Sequence, residues 1–167
     1  MAFYKGYKNN NYGHNTQHNQ NDRSDRNHES QDRRNYDNDN IFDPIIKYLK
    51  NPENGNEYSL FSTDGIIYEI FYDMNGGSQI RKFYNSVVEI TDQYNKMEVA
   101  KGKLARILPI IYYAKKRNLV DDLFLNFVKL SLKTLNDINN EDDFKKSLRA
   151  FREVFQAVIA YSKEKNR

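Results

Sequence analysis

The chain has 167 residues, 26 Lys and Arg against 23 Asp and Glu, and no cysteine. That length is one ordinary domain with room for an appendage, and the missing cysteine excludes disulfides, thiolate metal sites and a cysteine nucleophile. The net charge of +3 divides unevenly: residues 1–40 are balanced, 41–77 carry −4 and 78–167 carry +7. Positive charge gathered on one half points to an anionic partner; a lysine-rich solvated helix surface is the plainer reading of the same excess. No run approaches the ~20 consecutive apolar residues of a membrane span. Met1-Ala2-Phe3-Tyr4-Lys5-Gly6-Tyr7-Lys8 lacks the apolar core of a signal peptide, so a cytoplasmic protein with no membrane partner is expected.

Residues 1–40 are low in complexity, with ten Asn and all three His of the chain. So few large apolar side chains cannot offset ~1–2 kcal/mol of backbone entropy per residue, and a disordered, solubilising tail is expected. Arg23, Arg26, Arg33 and Arg34 offer charge for single-stranded nucleic acid, but the balanced composition argues against affinity. His14, His18 and His28 lack neighbouring ligands with the geometry of a metal site.

The remainder, 41–167, reads as an all-α domain, a compact antiparallel bundle of about five helices. Asp43-Pro44 is a start signal, an N-cap before a proline at the first helical position, and Asn51-Pro52-Glu53-Asn54-Gly55-Asn56 ends that short helix. Leu60, Phe61, Ile66, Ile67, Ile70 and Phe71 suggest a helix over about 58–73, which Gly65 weakens by ~1 kcal/mol. A β-hairpin around Asp64-Gly65 is the other reading of the loose alternation. From residue 78 the period is plainly helical. Ile80, Phe83, Tyr84, Val87, Thr91 and Tyr94 form one stripe; Leu104, Ile107, Leu108, Ile111 and Ala114 form the next, in a helix of about 98–117 that Pro109 should kink. Val120, Leu123, Phe124, Phe127, Val128, Ser131 and Leu135 make a third stripe, and Phe144, Leu148, Phe151, Phe155, Val158, Ile159 and Ser162 a fourth. Asn140 is the expected cap of the last helix, with Glu141-Asp142-Asp143 complementing its dipole. Short connections near Asn118 and Asn139-Asn140 require antiparallel neighbours.

Catalysis finds little support. The helical half has no His, so the usual general base near neutral pH is missing. Its serines have no adjacent base, and Asn75-Gly76-Gly77-Ser78 lacks the lysine of a phosphate loop. The carboxylate pairs Asp121-Asp122 and Asp142-Asp143 each stand at a helix start, where acids serve the dipole. No enzyme, cofactor or metal is expected.

What remains is basic side chains. Arg81 and Lys82 stand in the first turns of their helix, off its apolar stripe. Lys101, Lys103 and Arg106 follow along one edge. Lys115, Lys116 and Arg117 cluster at a helix C-terminus, where cations also suit the dipole. Arg149 and Arg152 lie three apart on the final helix, extended by Lys145 and Lys146, and Arg suits phosphate through its bidentate fork. Tyr112 and Tyr113 are adjacent, so at most one faces the core fully; the other can stack on a base, although a half-buried bundle tyrosine is the commoner arrangement.

The order of Ser78-Gln79-Ile80-Arg81-Lys82-Phe83-Tyr84, Tyr112-Tyr113-Ala114-Lys115-Lys116-Arg117 and Phe155-Gln156-Ala157-Val158-Ile159-Ala160-Tyr161 resembles the small helical subunit of type III-A CRISPR interference complexes (the Csm complex), over roughly residues 58–163. Gly76-Gly77 stands where relatives usually carry a Thr pair, and Lys116 where Gly is common. The resemblance implies a non-enzymatic subunit of antiviral defence whose copies stack into an inner filament beside the larger subunits. It also implies contact with the guide RNA–target RNA duplex through phosphates, which nominates Arg81, Lys82, Lys103, Arg106, Lys115, Lys116, Arg117, Arg149 and Arg152. The alternative is a helical adaptor that binds protein only.

Overall fold

Two phenylalanine-rich helices form the centre of the molecule, in a computed structural model that describes residues 39–164. The tail expected at residues 1–40 therefore lies almost wholly outside the described residues. The α-helices are α1 (Asp43–Lys50), α2 (Glu57–Phe61), α3 (Ile66–Phe71), α4 (Ser78–Asp92), α5 (Met97–Ala105), α6 (Ile107–Lys116), α7 (Asp122–Asp137) and α8 (Glu141–Tyr161). Two-residue strands β1 (Asn75–Gly76) and β2 (Lys163–Glu164) pair in parallel. The all-α class is as expected. The helices number more than five because two of the expected spans each break in two.

Both breaks have local causes. At Gly65 the chain turns, with the Gly65 N–H donating to the Ser62 carbonyl at 2.9 Å. A Cβ there would meet the backbone oxygens of Ser59, Ser62 and Leu60 at 2.9–3.0 Å. The continuous helix and the hairpin are thus both replaced by α2, a tight turn and α3. The second break falls at Arg106, three residues before Pro109. A proline ring excludes the carbonyl four positions back and supplies no N–H. The helix therefore ends at Ala105 and restarts so that Pro109 sits in the first turn of α6, where a missing donor costs nothing. The expected kink takes the form of a one-residue break, at which Arg106 keeps a helical backbone.

The start of α1 is shifted by one residue. A 3-10 turn, Asp39–Phe42, precedes it, so Asp43 opens the helix and Phe42 takes the cap position. The cap of α8 is as expected, with Asn140 Oδ1 accepting from the N–H groups of Asp142 (2.9 Å) and Asp143 (3.0 Å).

Phe127 of α7 is fully buried, and its ring lies 5.3–6.5 Å from those of Phe42, Phe71, Phe124, Phe151 and Phe155. Aromatic pairs at such distances add ~0.5–1.5 kcal/mol beyond area burial. α1 packs across α7 and α8, α3 lies on α8, and α4 runs antiparallel to α8. That direction is fixed by Asn75 beside Lys163, the Tyr84 ring 5.7 Å from Phe155, and the Tyr94 hydroxyl donating to Glu141. α5 and α6 cover the remaining side, against α4 and α7.

Candidate nucleic-acid interface

The two-residue sheet has a positional consequence larger than its size. The Lys163 N–H donates to the Met74 carbonyl at 2.9 Å, and the Asn75 N–H donates to Asp121 Oδ2 at 3.2 Å. Asp121 sits just ahead of α7 and four residues past Arg117; Asn75 sits three residues ahead of Ser78. One end of the bundle therefore collects the start of α4, the end of α6, the start of α7 and the exit of α8.

Arg81 and Lys82 occupy the first turns of α4 and are both exposed. α4 has no acidic residue in its first turn and no side-chain cap on Gly77. The N-terminus of a helix carries roughly half a positive charge. Arg81 and Lys82 are the fourth and fifth residues of α4, at the edge of the reach of that charge, and they add their own to it.

The end of α6 carries Lys115, Lys116 and Arg117, and its geometry is set by the turn that follows. Asn118 has φ of 55°, the left-handed conformation Asn tolerates better than most side chains. Its N–H donates to the Lys115 carbonyl at 2.8 Å, and the Leu119 N–H reaches back to Ala114 at 3.0 Å, the paired bonds of a Schellman cap. Asn118 thus supplies the left-handed residue of the cap, and Lys116 remains helical. Lys115 is half-buried and pairs with Asp122 at 2.8 Å. Lys116 points outward, and the Arg117 guanidinium lies 5.6 Å from the centre of the Tyr113 ring. Both tyrosines of the pair are exposed, Tyr112 by 43% and Tyr113 by 62%. Neither fills the core.

The other nominated residues lie elsewhere. Arg152 donates to Asp92 at 2.6 Å, and hydrogen bonds to Tyr84 and Asp92 raise its pKa. Asp92 ends α4, so Arg152 sits about 16 Å along that helix from Arg81, at 1.5 Å per residue. Arg149 is exposed on the same stretch of α8. Lys145 lies 5.9 Å over the Tyr94 ring, and Lys146 pairs with Glu53 at 2.8 Å. Lys103 is half-buried on α5 and Arg106 is exposed at the α5–α6 junction. Lys101 donates to the carbonyls of Asn136 (2.8 Å) and Ile138 (2.7 Å), closing the C-terminus of α7. The structure thus brings Arg81 and Lys82 to the same end as Lys115, Lys116 and Arg117, and leaves Lys103 with Arg106 and Arg149 with Arg152 as separate groups.

Sequence reasoning missed what else stands at that end. Tyr68 and Tyr72 are part-exposed and stacked at 5.5 Å, with Lys163 over the Tyr72 ring and paired to Asp73. Tyr68 and Tyr72 carry no signal of this, because one face of a short helix and a residue 91 positions away had to meet. Among the described residues no group of His, Asp or Glu is arranged to hold a metal ion, and no helix is long and apolar enough to cross a membrane.

A family model described as Csm2 Type III-A matches residues 73–167. No curated protein and no solved structure matches the chain.

Proposed function

The chain belongs to the Csm2 family and is a small subunit of a type III-A CRISPR Csm complex, and from that premise we propose that its basic end lies along the phosphates of a guide RNA–target RNA duplex. The family is one of structural, non-catalytic subunits. On this reading the chain performs no chemistry of its own in antiviral defence. It works in the cytoplasm, holds the paired strands by charge, and repeats as stacked copies in an inner filament beside the larger subunits. Residues 41–167 act as the bundle domain and 1–40 as a solubilising tail.

The observation that carries the reading is the uncapped, acid-free start of α4, with Arg81 and Lys82 in its first turns, beside the cationic end of α6. A helix N-terminus and exposed cations close to it both suit phosphate. Such contacts position a duplex without reading its sequence, as a subunit serving any guide must do. Lys103, Arg106, Arg149 and Arg152 are not needed for this end.

The test is reversal of Lys115, Lys116 and Arg117 to Glu in the assembled complex. Lys115 is already paired within the chain, so most of the effect belongs to Lys116 and Arg117. Losing two phosphate contacts should flatten the slope of log affinity against log salt by roughly 1.4–1.8 and weaken target-RNA binding. Unchanged affinity with an unchanged slope would remove the cluster from the interface. The adaptor reading, with protein contacts alone, would then stand in its place.

A further inference from the structure

Most tyrosines among the described residues are tied into the fold. The hydroxyls of Tyr48, Tyr84, Tyr94 and Tyr161 donate to Glu153, Gln156, Glu141 and the Phe61 carbonyl, and Tyr68 stacks on Tyr72. Tyr58, Tyr112 and Tyr113 differ. Their side chains make no hydrogen bond and meet no other aromatic ring among the described residues, and they are 78%, 43% and 62% exposed.

Charge separates these three. Residues 51–77, which hold Tyr58, contain five acids and no base; residues 99–119, which hold Tyr112 and Tyr113, contain six bases and no acid. Acids around a ring repel a polyanion. A ring among cations offers a nucleic-acid strand both of its needs, charge for the phosphates and a flat face for a base.

The cations and the ring are also in line. Arg106 stands at the N-cap of α6 with a helical backbone, and Ile110, Tyr113 and Arg117 follow at intervals of four, three and four residues, which is one stripe along a helix. All four are exposed, while Ile107, Ile111 and Ala114 are turned to the core. The Arg117 guanidinium, 5.6 Å from the centre of the Tyr113 ring, forms a cation–π pair that steadies the ring and still leaves most of it open. The two arginines are about 16 Å apart along the axis at 1.5 Å per residue, with Ile110 and Tyr113 between them.

We propose that the stripe Arg106, Ile110, Tyr113 and Arg117 binds unpaired RNA: a base stacks on Tyr113, and the two arginines hold phosphates on either side of it. This rests on the phosphate reading above and extends it. Arg117 belongs to the phosphate-facing end, and the stripe leads away from that end along α6, so a strand that leaves the duplex there passes over the ring. Paired bases do not serve, because their faces already stack on one another and a duplex presents phosphates, 2′-hydroxyls and base edges instead. Every base has a flat face, so the site takes any sequence.

The assembled complex with full-length variants tests it on two target RNAs. One is paired to the guide over its whole length; the other adds an unpaired extension at each end. The wild type should hold the extended RNA tighter by about fivefold or more, as one stacked base provides. Tyr113→Leu, which keeps an apolar side chain without the ring, should remove that preference and leave the fully paired RNA held as before. Tyr113→Phe, which keeps the ring, should retain it. Tyr113 lies outside the core, and circular dichroism checks that both variants fold. The proposal is overturned by a wild type that holds the two RNAs alike, by Tyr113→Leu keeping the preference, or by Tyr113→Phe losing it. Loss of a larger subunit from the Tyr113→Leu complex overturns it in favour of a protein occupant. Lys116→Glu, off the stripe, is read on the fully paired RNA alone: an unchanged salt slope there sinks the phosphate contact, so the two readings fail separately.

Discussion

Replacing Gly65 and Gly102 by alanine should move stability in opposite directions. At Gly65 the new methyl would stand 2.9 Å from the Ser59 and Ser62 carbonyl oxygens and 3.0 Å from that of Leu60, against the 3.4–4 Å of ordinary contact. All three are backbone atoms in one tight turn, so no side chain can swing aside. The turn between α2 and α3 must open, at the ~1–3 kcal/mol typical of overpacking. Gly102 lies inside α5, and a methyl there meets nothing within 4 Å. Gly102→Ala should therefore gain ~0.5–1 kcal/mol from backbone entropy alone. Urea unfolding followed by far-UV circular dichroism measures both, and at roughly 2–8 °C per kcal/mol a melting curve resolves them as well. Gly65→Ala as stable as the wild type would refute the close approach at that turn. A loss of stability in Gly102→Ala would refute the open surface of α5.

Removing the cap of the last helix, Asn140→Ala, leaves the N–H groups of Asp142 and Asp143 without their side-chain acceptor; a loss of about 1 kcal/mol is expected in the same unfolding assay. Alkaline pH should unfold the domain through two tyrosines. Burial and then the Glu153 charge push Tyr48 from 10.0 up to about 12; burial and then its hydrogen bond to Glu141 do the same for Tyr94. The unfolded chain loses these protons near pH 10 while the folded one keeps them to about 12. Stability is therefore intact below pH 10 and falls through that window, by at most ~1.4 kcal/mol per pH unit for each group. Tyr48→Phe should flatten part of the fall in urea midpoints between pH 10 and 12, and adding Tyr94→Phe should flatten more.

The helices that can be read from the sequence are those with a long stripe and a chemical signal at an end. α7 and α8 have both, and Phe124, Phe127, Phe151 and Phe155 are buried as their spacing requires. Phe42 escaped notice because it precedes the Asp43-Pro44 start signal, yet it is 2% exposed and packs on Phe71 and Phe127. Pro109 marked the right helix but the wrong residue, because the ring's effect falls on a carbonyl four positions upstream. The candidate interface was legible as residues and illegible as a place. Its assembly depends on the bond from Asn75 to Asp121, 46 positions apart, and on a strand of two residues, too short to leave a period. The tie from Arg152 to Asp92 spans 60 positions and is equally silent in the sequence.

These long-range ties divide the cations of the helical half by what the fold needs from them. Lys101 closes the end of α7, Lys115 pairs with Asp122, Lys146 with Glu53, Arg152 with Asp92 and Lys163 with Asp73. Exposed pairs of that kind contribute little, ~0–1 kcal/mol each, but each one fixes where two elements meet. Lys82, Lys103, Arg106, Lys116 and Arg149 make no ion pair among the described residues. Lys103 and Lys116 serve the dipole in the last turns of α5 and α6, whereas Lys82 and Arg149 lie where neither an ion pair nor a helix C-terminus uses their charge. Charge that is idle in the free subunit has its use in what the subunit meets.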